Sequence, residues 1–475
     1  MLSARYEYHR YEPVEPDWTR FPAWRGVSAA QWRSARWQRT QSIKNVAALR
    51  AVFGDLLDDV IYRELQADQE QHATMPLLVP PQMINTMMPH VRPGGPGSLS
   101  EAFRHDPVRL YMLPMISDRR ADWPSHPYAE RDSLHESQMW PVEGLVHRYP
   151  TKVLVELVST CAQYCGHCTR MDLVGGSTPT VEKTRFTIGR SDRWQRVLDY
   201  LRATPTVRDV VVSGGDVANV PWPQLEQFVE SLLEIESIRD IRLASKSLVA
   251  LPQCWLDPEV LQGLERLAKL ASARGVDLAL HTHANCAQSV TALAAEATRA
   301  VLGVGVRDVR NQGVILGSVN DSPSALLDLC FALLDGAGVM PYYFYLCDMV
   351  PGSEHWRISL ARAQELQARI MGYLPGFATP RLVCDVPYLG KRWVHQAVAY
   401  DQVTGRSLWN DGAEARVSSP SDTDFAYYDP LHTLPPEGRE WWLAHGAAAP
   451  RLGHAVPAYG SGTPHSVPEP GGFDV

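Results

Sequence analysis

The sequence predicts an α/β fold with a parallel sheet, and the chain from about residue 150 onwards carries this prediction. Short β-rich runs alternate there with amphipathic helical stretches six times, which is typical of βα units joined by right-handed crossovers. The six units show no obvious dinucleotide-binding glycine fingerprint, which favours a partial (β/α)6 TIM-like barrel over a doubly wound sheet. Periodicity alone leaves both architectures open. The runs are VLVELVS (153–159), VRDVVVS (207–213), IRDIRLAS (238–245), VDLALHT (276–282), NQGVIL (311–316) and MPYYFYL (340–346).

Helix signals between the runs support this alternation. Asp257 and Pro258 offer an N-cap followed by proline at the first helical position, and Ser322 and Pro323 do the same for a later helix. Gly336 suits the end of that later helix.

The residues before the first run predict a helical accessory region over about 1–140. The stretch 28–31, Ser-Ala-Ala-Gln, has the form of a capping box before a tryptophan-rich helix that carries Trp32 and Trp37. A second helix is predicted from apolar residues at helical spacing, namely Ile43, Val46, Leu49, Phe53, Leu56 and Val60.

Composition and charge limit the classes of function. The 475 residues carry a formal net charge of −8 and no concentrated basic stripe, which argues against nucleic acid as the main partner. The first residues, MLSARYEYHRYEPVEPDW, contain no apolar signal region, and no run reaches the roughly 18 apolar residues of a membrane-spanning helix. We therefore expect a cytoplasmic protein with no membrane partner, in which clustered cysteines hold metal rather than form disulfides.

Three of the eight cysteines, Cys161, Cys165 and Cys168, lie within CAQYCGHCTR (161–170), directly after the first predicted strand. Loops at the carboxyl ends of barrel strands carry the chemistry of such folds. Three thiolates can hold three corners of a 4Fe–4S cube and leave one iron without a protein ligand. A zinc site, which would want a fourth ligand, and buried small side chains are the plainer alternatives.

The C-x3-C-x2-C spacing resembles the cluster motif of the radical S-adenosylmethionine (SAM) superfamily. Within that superfamily, roughly half of the chain resembles the lysine 2,3-aminomutase family, with the matching segments in the family's order. The segments are LHES (134–137), GLVHRYP (144–150), CAQYCGHCTR, VRDVVVSGGD (207–216), HTHAN (281–285), NQGVILGSVND (311–321), PYYFYLCDMVPGSEH (341–355) and CDVPYLGK (384–391).

This resemblance implies a radical SAM core that holds a 4Fe–4S cluster, SAM and pyridoxal 5′-phosphate (PLP). The implied organisation is a helical accessory region, a partial barrel, a C-terminal extension that bears the PLP lysine, and a flexible tail with five prolines and five glycines. The corresponding ranges are 1–140, 141–375, 376–449 and 450–475.

For SAM, the resemblance points to the turn after the second run and to two further positions. Glycines without side chains let the backbone approach a ligand closely, although SGGD alone is also an ordinary strand-end turn. The implied cofactor-binding residues are Ser213, Gly214, Gly215, Asp216, His167 and Gln312.

For PLP, the resemblance assigns Lys391 as the residue that holds the cofactor as a Schiff base and acts in catalysis. Without the resemblance, a lone lysine would be interpreted as a solvated surface residue. Arg148 and Lys152 would flank the PLP phosphate, and Lys152 stands where the family often has arginine. DVPYLGK replaces a glycine-richer and slightly longer loop of the family.

The substrate residues implied are Arg170, as a bidentate clamp for a carboxylate, and Asp321 and Asp385, as acids for a distal ammonium group. Taken alone, Asp321 is a helix-start residue and Asp385 a turn residue. Two carboxylates facing one cation would repel a glutamate side chain.

The implied activity is a 1,2 shift of the α-amino group of a basic amino acid to C3. Conversion of L-lysine to β-lysine is the leading hypothesis, and L-arginine is the close alternative. A protein-lysine aminomutase and a non-catalytic Fe–S protein are further alternatives. We expect an electron donor such as flavodoxin or ferredoxin and a homo-oligomer. No cysteine follows Cys384, so we expect none of the C-terminal zinc found in some family members.

Overall fold

A computed structural model describes residues 5–120, 122–410 and 425–446. The tail predicted from residue 450 lies outside these ranges. Within them, no helix is both long enough and apolar enough to cross a membrane.

Nine strands form one sheet in which sequence order is also spatial order. Strands β2 to β8 run parallel, while β1 and β9 pair antiparallel with β2 and β8. The strands are β1 (Leu145–Tyr149), β2 (Lys152–Val158), β3 (Asp209–Gly214), β4 (Asp240–Ala244), β5 (Asp277–Thr282), β6 (Val309–Ile315), β7 (Met340–Leu346), β8 (Arg381–Val386) and β9 (Gly390–Trp393). A second sheet contains β10 (Ala399–Asp401), β11 (Arg406–Trp409) and β12 (Phe425–Tyr428).

The helices follow the predicted alternation, because one long helix lies between each pair of parallel strands from β2 to β8. The α-helices are α1 (Ala29–Trp32), α2 (Ala35–Thr40), α3 (Val46–Phe53), α4 (Asp59–Gln71), α5 (Pro81–Asn85), α6 (Ser100–His105), α7 (Pro107–Met112), α8 (Arg190–Arg202), α9 (Trp222–Leu233), α10 (Ser247–Ala250), α11 (Pro258–Ala273), α12 (Ala292–Gly303), α13 (Pro323–Phe331), α14 (Leu360–Ile370) and α15 (Pro436–His445).

The predicted partial (β/α)6 barrel is confirmed. All six β-rich runs are strands, β2 to β7, and the N-caps at Asp257 and Ser322 open α11 and α13. The helical turns that follow α13 continue past Gly336. They end at Gly338, which adopts the left-handed conformation. The alternation did not predict β8, because its run is followed by a hairpin rather than by another helix.

The two edges of the sheet, β1 and β9, meet side by side, and we call this line of contact the seam. Arg148 of β1 donates to Asp385 of β8 at 2.7 Å, and the backbone N–H of Lys391 on β9 donates to the Tyr149 hydroxyl at 2.8 Å. Side chains rather than a ladder of backbone hydrogen bonds therefore bring the ends of the sheet together.

The N-terminal region is helical, as predicted, and its capping box at Ser28 and Gln31 is present. The prediction of one second helix was wrong. Gly54, with a φ of 59°, ends α3, and Val60 lies exposed on the separate helix α4. Ile43 instead forms an isolated bridge with Val79, so the apolar spacing came from two helices and a bridge.

This region packs over the loop that carries the three cysteines. The backbone of Tyr164 donates to Leu78 at 3.1 Å, and the Thr74 hydroxyl donates to the carbonyl of Gly166 at 3.4 Å. Tyr111 of α7 places its ring 6.0 Å from that of His167. The accessory helices therefore form one wall of the cysteine loop.

One prediction concerns the contact between α9 and α11. A methyl group at the buried Gly263 would collide with the Trp222 indole, whereas a methyl group at Gly303 would meet no atom within 4 Å. We expect Gly263→Ala to lower the free energy of unfolding by about 1–3 kcal/mol because of overpacking. The control Gly303→Ala should leave it unchanged or raise it by up to roughly 1 kcal/mol. Urea unfolding followed by circular dichroism measures both, and equal values would contradict the packing argument.

Candidate active site

The three cysteines lie on the loop that follows β2, and each is half-buried. Burial, together with the neighbouring carboxylate and thiols, raises the pKa of Cys161 far above its usual range, and burial and Cys165 raise the pKa of Cys168 to about 11. The three thiols are thus near enough to repel one another as anions. In the described ranges, no group of three or more His, Cys, Asp or Glu side chains could hold a metal ion. A 4Fe–4S cluster would not need the three thiols to meet at one ion, because each cysteine would bind a different iron.

The end of β3 forms a backbone cradle beside this loop. Gly214 has a φ of 113°, and the N–H of Gly215 donates to the carbonyl of Val158 at 2.6 Å. A side chain at Gly214 would strike Val158, and one at Gly215 would strike Thr160. Only glycine fits at these positions, which leaves the backbone groups of the turn close to the cysteine loop.

Asp216 closes the cradle, but its carboxylate is already occupied. It accepts hydrogen bonds from the Ser245 hydroxyl at 2.6 Å and from the backbone and hydroxyl of Ser247 at 3.1 and 2.9 Å. It also caps the turn at Ala218. The backbone N–H of Asp216 also donates to the carbonyl of Thr160 at 3.0 Å, so Asp216 fixes the shape of the turn.

His167 is buried, and neither of its ring nitrogens has a hydrogen-bond partner in the described part of the chain. Burial and the nearby Lys246 lower its pKa to about 3, so the imidazole is neutral. Unpaired buried polar atoms are rare in folded proteins. Their presence beside the cysteine loop fits a bound ligand there. Gln312 lies on β6 next to His281, at the inner face of the barrel.

Arg170 is held on one side by two carboxylates. Its Nε and Nη2 atoms donate to Glu136 at 2.8 and 3.2 Å, and Nε also lies 3.1 Å from Glu156. In the part of the chain that the structure describes, its Nη1 atom makes no hydrogen bond. The two acids thus fix the orientation of the Arg170 guanidinium, which is predicted to bind a carboxylate. Its Nη1 end remains available for a ligand.

Arg148 extends the same array. Its Nη2 atom lies 3.6 Å from Glu136, and its Nη1 atom donates to Asp385 at 2.7 Å, with all three side chains largely buried. Asp385 is shared, because the Nζ atom of Lys391 lies 3.2 Å from its second oxygen. Opposite charges therefore alternate along Glu156, Arg170, Glu136, Arg148, Asp385 and Lys391, and we call this array the charge chain.

The pKa values follow from this order. Burial alone would raise the pKa of Asp385, yet Lys391 and Arg148 hold it below its usual range. Burial would lower the pKa of Lys391, but Asp385 outweighs it and raises that pKa. Glu156 has Arg170 and Arg193 nearby, yet burial outweighs them and raises its pKa to about 7.

Two predicted residues stand apart from the charge chain. Lys152 is exposed at the first residue of β2, where its Nζ atom lies 4.6 Å from the centre of the Tyr149 ring. Asp321 accepts from the backbone of Ser318 at 3.1 Å in the turn before α13. No hydrogen bond or ion pair among the described residues joins Asp321 to Asp385 or Lys391.

Sequence reasoning did not single out three acids that the structure places here: Glu136, Glu156 and Asp348. Asp348 has one carboxylate oxygen buried without a partner, and burial and Asp385 raise its pKa to about 7. Glu156 had a readable signal, since it is the one charge within the apolar run VLVELVS. Glu136 and Asp348 lie in two of the segments that resemble the family, but no local sequence pattern marked either residue as functional.

No family model matches this chain, but comparison with known proteins finds related sequences. The L-lysine 2,3-aminomutase of Clostridium subterminale is 30% identical over 371 residues, which cover 78% of this chain and 79% of that protein. The L-lysine 2,3-aminomutase of Fusobacterium nucleatum is 35% identical over 54% of this chain and 56% of that protein. A solved radical SAM methyltransferase from Sphaerobacter thermophilus matches at 18% identity and a TM-score of 0.33, over 54% of this chain and 71% of that one.

The charge chain leads to a prediction about stability. Asp385→Asn leaves Arg148 and Lys391 without their shared acceptor, so we expect the free energy of unfolding at neutral pH to fall by about 3–5 kcal/mol. The pKa of Asp385 is lowered in the folded state, so its contribution is present above its unfolded pKa of about 3.9 and is lost at lower pH.

Asp122→Asn is the matched control, because Asp122 pairs with Arg120 at the surface. Its effect should be small, because solvent screens an exposed ion pair. Urea unfolding at pH 7 and at a pH below about 3.9 measures both variants, and a loss at pH 7 for Asp385→Asn no larger than that of the control would contradict the prediction.

Proposed function

Because this chain belongs to the lysine 2,3-aminomutase family of the radical SAM superfamily, we propose that it converts L-lysine to β-lysine. Its membership makes it an isomerase of the aminomutase type. The observation that supports the finer proposal is the charge chain, which holds the guanidinium of Arg170 near one end and Asp385 with Lys391 at the other. A second acid, Asp348, lies close to Asp385.

The family implies a 4Fe–4S cluster and SAM, and the residues near the cysteine loop suit both. Cys161, Cys165 and Cys168 would bind three irons of the cluster. The cradle at Gly214 and Gly215 would receive the methionine end of SAM on its backbone groups. When bound, SAM and the cluster would supply the radical chemistry for hydrogen abstraction from the substrate. A flavodoxin or ferredoxin is the class of protein that would supply the electron.

We place PLP at the seam. The side chain of Lys391 is 38% exposed, so its amine is within reach of a cofactor, and the rings of Tyr149 and Tyr345 lie beside it. Arg148 and Lys152 carry the positive charge nearest to Tyr149, which suits a phosphate group. PLP supplies a conjugated ring that stabilises the radical while nitrogen moves between carbons.

The substrate would lie along the charge chain. Its carboxylate would meet the open Nη1 end of Arg170, and its distal ammonium group would meet Asp385 and Asp348. Four carboxylates, including Glu136 and Glu156, stand against the three cations Arg148, Arg170 and Lys391. That balance favours a basic substrate and disfavours a second carboxylate such as that of glutamate. We assign Asp321 to the turn before α13 and not to the substrate.

The protein's remaining task is to keep water away from the reacting atoms. The accessory helices cover the cysteine loop, and His167, Glu156 and Arg148 are almost fully buried. A dry, positioned site protects radical species and fixes the distance between reacting groups.

The direct test is an anaerobic incubation of reconstituted, reduced enzyme with SAM, PLP and either L-lysine, L-arginine or L-glutamate. We expect a β-amino acid from lysine alone, detected by NMR or by mass spectrometry after derivatisation. Product from arginine alone would change the substrate. No product from any of the three, with both cofactors bound, would overturn the proposal.

A second prediction concerns PLP. Lys391→Ala should lose the absorbance of covalently held PLP and the PLP that borohydride fixes to the protein, because the amine proposed to form the covalent bond is removed. The control Lys269→Ala removes an exposed lysine paired with Glu265 on α11 and should retain both signals. Equal PLP retention in the two variants would show that another residue holds the cofactor.

A further inference from the structure

Glu156 is the one charged residue within the apolar run 153–158 of strand β2, and it lies beside Arg170. Its side chain is almost fully buried, with one oxygen 3.1 Å from Arg170 and the other, Oε2, without a hydrogen-bond partner among the residues that the structure describes. A buried carboxylate oxygen without a partner is costly. The arrangement therefore has either an additional partner or a proton in the functional state.

We propose that Glu156 couples binding of the substrate carboxylate at Arg170 to uptake of one proton, and so controls affinity for substrates with a free carboxylate. This inference rests on the proposed function, since it takes Arg170 as the clamp. It assigns Glu156 a role in specificity and none in the chemical step.

The charges around Glu156 carry the argument. Arg170 faces it from the cysteine loop and Arg193 from α8, while Glu136 and Asp132 face it from the segment before β1. Arg193 is turned to the backbone carbonyls of Glu156 and Leu157. One guanidinium thus serves two carboxylates before any substrate arrives.

A substrate carboxylate would be the third anion on Arg170. Like charges in a buried site raise one another's pKa until one of them is neutral. Glu136 holds Arg170 through two hydrogen bonds, whereas Glu156 has a single contact and a free oxygen. The proton, taken from solvent, therefore goes to Oε2 of Glu156, whose pKa of about 7 in the free protein already lies close to neutrality.

The direction of the pH dependence follows. Glu156 is protonated below about pH 7 in the free protein, and bound carboxylate raises its pKa further. Affinity is then highest below pH 7 and falls by about tenfold per pH unit above it, until the pKa of the bound state is reached.

The test is calorimetry at pH 8 in buffers of different ionisation enthalpy, which counts the protons taken up on binding. Cofactor-loaded enzyme without reductant is titrated with L-lysine and with L-lysinamide, in which an amide replaces the carboxylate. The variants are Glu156→Gln, which removes the charge at equal size, and Glu156→Asp, which retains it. Circular dichroism confirms that both variants are folded.

We expect wild type to take up as much as one more proton per lysine than Glu156→Gln, and Glu156→Asp to restore the difference. With lysinamide, the difference should vanish, because ligand protons cancel between the two proteins. Equal proton counts for lysine in wild type and Glu156→Gln would overturn the coupling. Tighter binding of lysinamide than of lysine by wild type at every pH would do so as well and would indicate a substrate without a free carboxylate. Failure of lysine to bind to any form would instead overturn the proposed function.

Discussion

The buried ion pair between Arg148 and Asp385 joins the two ends of the main sheet, and the candidate site depends on it. β1 and β9 are the edges of an open sheet, so the barrel is held together at the seam by side chains. Replacing a buried pair by apolar groups is often neutral for stability, whereas removing one partner is severe. A pair retained at the one place where the sheet is open therefore indicates a role in shaping the site. Lys391, which lies on the same carboxylate, is positioned by that pair.

The charge chain explains why acids of the same type behave differently within a short distance. Asp385 lies between two cations and stays ionised. Glu156 stands at one end of the chain, and Asp348 stands beside the other end without a cation of its own, so burial dominates and both have a pKa near 7. Two acids poised near neutrality can change charge when a ligand arrives, which a fully paired acid resists. The charges of Glu156 and Asp348 can thus change on ligand binding, whereas the charge of Asp385 stays fixed.

The accessory helices complete the site from outside the barrel. Contacts from Leu78, Thr74 and Tyr111 place them over the cysteine loop, where His167 keeps two unpaired ring nitrogens. A cover of this kind excludes water from the region in which the family carries out radical chemistry. It also explains why a protein with a compact barrel has more than a hundred residues before its first strand.

The sequence by itself determined the alternation of strands and helices, the cysteine loop and the glycine turn after β3, because each depends on neighbouring residues and on periodicity. It also determined the family, through motifs spread in order along the chain. Only the tertiary structure decided which charges meet. Glu136, Glu156 and Asp348 join Arg170 and Asp385 from segments far apart in sequence, and Asp321 does not join them by any recorded hydrogen bond or ion pair. Ion pairs join residues that are far apart in sequence and leave no periodic pattern in it. A strand pattern therefore predicts the position of a charged residue in the sheet, whereas the tertiary fold decides which residue it pairs with.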